Sequence, residues 1–360
     1  MTATNEEPSL GHAAGASAHP SLPERARTAL PGLTASVAVA VIATGIGRLW
    51  PILGSAVPAV VLGVVVATLV APPSHRLRPG LSYAAGPVLQ VAIVVLGLRL
   101  SLRQVAQVGG RSLPVMVGTL VVCLTVAHLA GRRLRVARDL RILVGSGTGI
   151  CGASAIAAVA PVIGAVGADV AYAISTIFVF NIVAVIVFPI LGHALGLSQQ
   201  AFGLFAGTAV NDTSSVVAAA TTYGASAADH AVVVKLVRTL MIIPIVIGLA
   251  ALSGRRQRGA AGRPALRLTP RRVVRLVPWF LIGFLVAAAV NTTGAVPARA
   301  DAPIGEASTF LITVALAAIG LTTDLGALRR TGFRPLVLGA LLWATVTVAS
   351  LGLQLVTTGW

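Results

Sequence analysis

In the stretch FAGTAVNDTSSVVAAA, residues 205–220, Asp212 is the only charged side chain, and its neighbours are small, apolar or uncharged. Lys235, the only lysine in the chain, lies further on, and Arg238 follows three residues later on the same helical face. A carboxylate of this kind can take up and release a proton or Na⁺, which suits it to couple or gate transport. An ammonium and a guanidinium can hold an anion. Pairing Asp212 with Lys235 would lower the cost of burying either charge. Ionisable groups inside a membrane are expensive and mark function by default. The plainer alternatives are that Lys235 and Arg238 snorkel to a headgroup and that Asp212 is a structural carboxylate held by hydroxyls and backbone.

The surroundings of Asp212 predict a broken helix. Gly207, Thr208, Asn211, Thr213, Ser214 and Ser215 cluster around it, and Asn, Asp, Thr and Ser compete for backbone hydrogen bonds inside a helix but cap its N-terminus well. The stretch GSGTGICGASAIAA, residues 145–158, has the same character, with glycines at 145, 147, 149 and 152. Irregular backbone at membrane depth is tolerated only where it is buried in protein or lines a wet cavity. Freed N–H groups there suit an anion and freed carbonyls suit a cation. The residues expected to contact substrate are therefore Gly147, Thr148, Gly149, Cys151, Gly152 and Ser154 from one break. The other break contributes Thr208, Asn211, Thr213 and Ser214, and Lys235 and Arg238 complete the set, with Asp212 as the coupling group. The plainer role for the glycines is close helix packing.

The elements that must position these residues are membrane helices. The chain has 360 residues, 56% of them hydrophobic and 10% charged, with a mean hydropathy of +0.92. Apolar runs long enough to cross a bilayer recur along it. Eleven segments are expected, near 31–50, 56–71, 81–99, 112–130, 142–163, 170–196, 200–222, 228–252, 273–290, 307–326 and 335–357. The fold class is all-α and polytopic. Residues 1–28 are read as a disordered cytoplasmic tail and 29–360 as a single transmembrane domain.

The net charge of +17 calls for no nucleic acid. With the N-terminus inside, the inner segments hold twenty arginines, among them Arg132, Arg138 and Arg141, and the outer ones five, Arg48, Arg99, Arg103, Arg111 and Arg299. That is a positive-inside pattern, and it needs no partner beyond anionic lipid. It places the C-terminus outside.

Two internal echoes suggest repeats. Gly147-Thr148, Ile150, Ser154 and Ile156 return as Gly207-Thr208, Val210, Ser214 and Val216, while Gly97-Leu98 and Arg111 return as Gly320-Leu321 and Arg334. Inverted repeats build many secondary transporters. The first pair of copies would be parallel if both crossed fully, and a re-entrant segment would reverse that. Cys123 and Cys151 fall in apolar spans as small buried hydrophobes, and the six histidines form no ligand cluster, so no metal or cofactor is expected.

The runs GTGICGASAIAAVAPVIGA, AYAISTIFVFNIVAVIVFP, GTAVNDTSSVVAAA, VKLVRTLMIIP and AAIGLTTDLGALRRTGFRPL resemble the YeiH-type sulfate exporter family. These are bacterial inner-membrane proteins in the superfamily of cation:proton antiporters and anion transporters. The resemblance covers about residues 30–357. It implies broken helices crossing at the site and points to Arg99, the Gly147–Ser154 run, Asp212, Lys235, Arg238 and Thr322-Thr323-Asp324. Relatives often carry histidine where Asn211 stands and glutamine where Ser215 stands. A proton relay through that histidine position therefore loses its titrating group here.

The leading expectation is a secondary transporter that exports a small inorganic or organic anion, sulfate being one candidate, by alternating access with H⁺ or Na⁺ coupling. The alternative is a cation/proton antiporter built on Asp212 and Lys235. A membrane enzyme would have Cys151 or Ser154 as nucleophile, but no paired base stands at recognisable spacing. A homo-oligomer is expected by analogy alone.

Overall fold

The computed structural model describes residues 22–50, 54–69, 76–257, 276–323 and 333–357. Residues 1–21, within the segment read as a tail, lie outside that range, as do Asp324 and most of the basic loop after Ser253. Every regular element described is helical. The chain runs through α1 (Leu22–Leu49), α2 (Ala56–Leu69), α3 (Arg78–Tyr83), a π-helical turn (Ala84–Val88), α4 (Leu89–Gly97) and α5 (Leu102–Arg133). Then come α6 (Arg138–Gly149), α7 (Ala153–Ile163), α8 (Gly167–Ala194), α9 (Gln199–Ala209), α10 (Thr213–Tyr223), α11 (Ala225–Thr239) and α12 (Ile242–Gln257). The last three are α13 (Trp279–Thr292), α14 (Asp301–Thr322) and α15 (Phe333–Thr357). Helix α1 starts at Leu22, so the end of the segment read as a tail is already helical.

Among the described residues, seven helices are long and apolar enough to cross a membrane, and α2, α7 and α13 are shorter apolar helices. Large apolar side chains such as Ile190, Val286 and Val348 face outward, as a lipid-facing surface requires. The protein is a polytopic helical membrane protein.

The core has two main parts. One gathers α1 to α4, α13 and α14 and meets α10 and α11 along one side. The other gathers α5 to α12 and α15. In the first part α2 and α14 touch backbone to backbone. A Cβ on Gly320 would stand 2.4 Å from the Val60 carbonyl oxygen, so only glycine fits.

The segments 142–163 and 200–222 are the two broken helices, and each turns back on itself. In the second, Tyr223 at the end of α10 stacks on Phe202 at the start of α9, with ring centroids 3.9 Å apart. The Gln199 Oε1 accepts from the Ser226 N–H at 3.0 Å, so the chain ends the hairpin where it began it. In the first, Gly147 of α6 lies beside Ile156 of α7, and α7 packs along α12.

Helix α8 orders the two hairpins. Its Ile177 lies against Gly147, Asn181 bonds to Asp212, Phe188 packs on Phe205 with the rings tilted by 41° and Gly192 meets Phe202 and Tyr223. The α6–α7 hairpin thus packs on the first half of α8 and the α9–α10 hairpin on the second half. They enter from opposite ends and meet at the middle. Arms of eleven or twelve residues are about 16–18 Å long, roughly half a bilayer core. The parallel-or-inverted question raised by the echo between the two breaks resolves as inverted.

Candidate functional site

The hairpin tips touch. Gly152 has φ +69° and ψ −132°, a conformation closed to side-chain-bearing residues, and a Cβ placed there would stand 3.2 Å from the Asp212 Cβ. Each tip therefore brings to one point the C-terminus of its first arm and the N-terminus of its second.

The two C-termini, of α6 and α9, are closed by cations. Orphan carbonyls at a helix end need donors, and the helix dipole favours positive charge there. The Lys235 ammonium donates to the carbonyl oxygens of Ile150 at 3.0 Å and Val210 at 2.9 Å. The Arg238 guanidinium donates through Nε to Gly149 at 2.9 Å, through Nη1 to Thr208 and through Nη2 to Thr148 at 3.5 Å. Both side chains are 0% exposed. They come from α11, which packs parallel to α9 with Gly203 and Gly207 against Ala227, Ala231 and Val234.

The two N-termini, of α7 and α10, differ from each other. Asp212 caps α10. Its Oδ1 accepts from the Ser215 N–H at 2.8 Å and from the Ser214 hydroxyl, and its Oδ2 accepts from Ser215 Oγ and Asn181 Nδ2, each at 2.7 Å. Four donors satisfy an ionised carboxylate without any cation. Among the described residues the ion pairs within 4 Å all belong to Arg99, so the expected Asp212–Lys235 pair is not formed in this conformation. Helix α7 has Gly152 at its N-cap, which offers no side-chain acceptor; the Cys151 sulfur faces the Ala155 N–H, and Ala153 and Ser154 are exposed. One tip therefore carries its own carboxylate at the helix start and the other does not.

The residues expected to form the site come together here, with distinct tasks. The backbones of Thr148, Gly149 and Thr208 hold Arg238. Gly147 gives way to Ile177. Cys151 and Gly152 form the turn of one tip and Asn211 part of the other, while Thr213 and Ser214 open α10. Arg99 is the exception. It follows α4 and bonds to Asp301 at 3.1 Å and pairs with Asp229 at 3.7 Å, beside the far end of α10.

Asn181 was not singled out from the sequence. Its Oδ1 accepts from the Asn211 N–H at 3.2 Å while its Nδ2 donates to Asp212. A lone asparagine midway along an apolar span is a readable signal, but a search for charged groups passes over it. Asn211 Oδ1 is buried without a donor.

The family model described as "Conserved hypothetical protein 698" matches residues 31–339. A UPF0324 membrane protein of Streptococcus pyogenes serotype M6 is 42% identical over 332 residues, covering 91% of this chain and 96% of its own. UPF0324 membrane proteins of Clostridium tetani and Fusobacterium nucleatum are 37% and 36% identical, with 90% and 86% of this chain covered and 96% and 92% of theirs. With hairpins, tips and buried cations in place, the chain belongs to this family, the YeiH-type group of membrane proteins.

Proposed function

We propose that the protein is a secondary transporter that moves a small anion past the meeting point of the two hairpins. The observation that carries this is the charge at the tips. Among the described residues Lys235 and Arg238 are buried with carbonyl partners, and Asp212 is the carboxylate that acts on Lys235. The helix-end dipoles pair off, two negative and two positive, so with Lys235, Arg238 and Asp212 all ionised the tips keep a surplus of one positive charge. The start of α7, exposed at Ala153 and Ser154 and without a carboxylate cap, is where an anion would meet N–H groups. Sulfate is the first substrate to test, and export with H⁺ or Na⁺ coupling is the proposed mode. The proposed setting is the bacterial cytoplasmic membrane, with the N-terminus inside and the C-terminus outside.

One observation favours the cation/proton antiporter instead. Asn211 Oδ1 lacks a donor next to Asp212, and a cation or a protonated group would fill that gap.

The test is labelled-sulfate counterflow in proteoliposomes, with Ser154→Asp beside the wild type. An acidic residue in the first turn of a helix favours folding and would place a fixed anion where the cargo is proposed to bind. Saturable exchange in the wild type, lost in the folded variant, is the expected result. Equal exchange in both would remove the α7 N-terminus from the pathway. Absent sulfate exchange with robust Na⁺/H⁺ flux would establish the antiporter.

A further inference from the structure

A second chemical environment lies away from the hairpin tips, between α5, α6 and α12. It is a cavity of about 620 Å³, within the usual range for a small-molecule site of roughly 300–1,000 Å³. Its walls are apolar, with Leu124 from α5 and Leu249 from α12 among them, and its rim carries His128, Arg132, Arg138 and Arg141. No lining residue is acidic. His128 and Arg132 are a turn apart on α5 and 3.5 Å from each other, while Arg138 and Arg141 are a turn apart on α6. Two helices thus direct their basic faces to one opening.

Ordinary positive-inside arginines need only be on the right side of the membrane. Here the packing also places one of them. Gly131 lies under the stem of Arg141, and a Cβ there would stand 2.4 Å from Arg141 Cδ, so any larger residue would push that arginine off α5. Among the described residues none of the three arginines forms an ion pair.

We propose that this cavity binds an anionic phospholipid, with its phosphate on Arg132, Arg138 and Arg141 and an acyl chain along the wall of Leu124 and Leu249. A free inorganic anion would satisfy the rim but leave the wall facing water. A zwitterionic lipid would fill the wall but add its own cation at a rim that already has three. The occupant bridges α6, the first arm of the first hairpin, to α12, the continuation of the helix that carries Lys235 and Arg238. Binding ties those two parts together whatever the protein transports.

The experiment is native mass spectrometry and thermal melting of the detergent-purified full-length chain, titrated with phosphatidylglycerol, phosphatidylcholine or inorganic phosphate. Phosphatidylglycerol is expected to bind and raise the melting temperature. Losing two headgroup contacts in Arg138→Gln/Arg141→Gln is expected to weaken that binding about 30-fold. Leu249→Trp, which fills the wall and keeps every charge, is expected to weaken it too, and it guards against misfolding of the double variant. Equal binding of phosphatidylcholine, or phosphatidylglycerol binding unchanged in both variants, would overturn the proposal. A melting shift reproduced by phosphate alone would overturn it as well, and would make the cavity a vestibule for free anions.

Discussion

Lys235 and Arg238 stand one turn apart on α11, and each donates to carbonyl oxygens of both hairpins. Two opposed hairpin tips, each with an unpartnered buried helix C-terminus, would repel through their dipoles and leave acceptors unpaired. A pair of cations from one rigid helix removes both problems and sets the distance between the tips. The pair therefore belongs to the architecture as well as to the charge of the site.

The first prediction follows from those bonds. Lys235→Met keeps an unbranched apolar stem, one atom shorter, but strands the Ile150 and Val210 carbonyls, and a buried acceptor left without a donor costs about 1–3 kcal/mol. A loss of several degrees in melting temperature is expected, measured by size-exclusion survival after heating in detergent. The exposed Arg111→Gln is the control and is expected to melt like the wild type. An unchanged melting point for Lys235→Met would mean the ammonium is not what joins the tips.

Asp212 has four donors and needs all its acceptor capacity. In Asp212→Asn the amide NH2 faces an N–H donor whichever way it flips, the Ser215 backbone on one side or Asn181 Nδ2 on the other. A cost of about 1–2 kcal/mol is expected from the weakened cap and the lost charge-assisted bonds. Asn181→Asp alone faces a second carboxylate and is expected to destabilise more at neutral pH. The double variant Asn181→Asp/Asp212→Asn restores one donor opposite one carboxylate, and its melting point should lie above the sum of the two losses. Strict additivity would show that these side chains do not act as a pair.

Much of this was legible in the sequence, and particular residues show where legibility ends. Asp212, Lys235, Arg238 and both glycine-rich breaks declare themselves because charge and helix-breaking residues are rare in apolar runs. The turn-back of the hairpins does not. Replacing two crossings by two hairpins moves the loops at 164–166 and 195–198 to the other side, and neither loop holds a lysine or arginine, so the charge pattern is the same either way. The partners of Lys235 are hidden for another reason. Backbone carbonyls carry no residue identity, so a sequence suggests a carboxylate partner and conceals a helix end. Asp229 stands at the start of the apolar segment 228–252, and nothing in the sequence links it to Arg99, with which it pairs.

The backbone at Gly152 gives a sharper test of the tip contact. Gly152→Ala must adopt φ near +69° with ψ near −132°, strain worth roughly 1–3 kcal/mol, and its methyl would crowd Asp212. Gly164 also has positive φ, but in the left-handed region at the end of α7, where a Cβ meets nothing within 4 Å. Gly164→Asn is therefore expected to fold and melt almost as the wild type, since asparagine tolerates that conformation. Gly152→Ala is expected to lose both stability and anion exchange. Comparable melting points for the two variants would show that the tip tolerates rearrangement.

Arg99 joins the two parts of the core from the other end of the hairpin. It holds Asp301 at the start of α14 and Asp229 on α11, beside a cavity of about 220 Å³ that also touches Thr221 and Ala225. The Asp301 hydrogen bond raises the guanidinium above its usual value, with both carboxylates adding to the shift against some desolvation. A raised cation pKa gives stability that is fully present below the unfolded value and lost only above it, so no alkaline loss is expected in the neutral or mildly alkaline range. Salt is the effective lever, since these side chains are partly exposed. If the pair restrains α11 against α14, Arg99→Gln opens that cavity. A cysteine introduced as Ala228→Cys, at a buried position of the cavity wall, is then expected to react faster with a polar maleimide in the Arg99→Gln background, and faster at high salt in the wild-type background. Cys123 and Cys151 are buried and give little background. Labelling rates independent of both Arg99 and salt would mean the ion pairs decorate a contact that packing alone keeps shut.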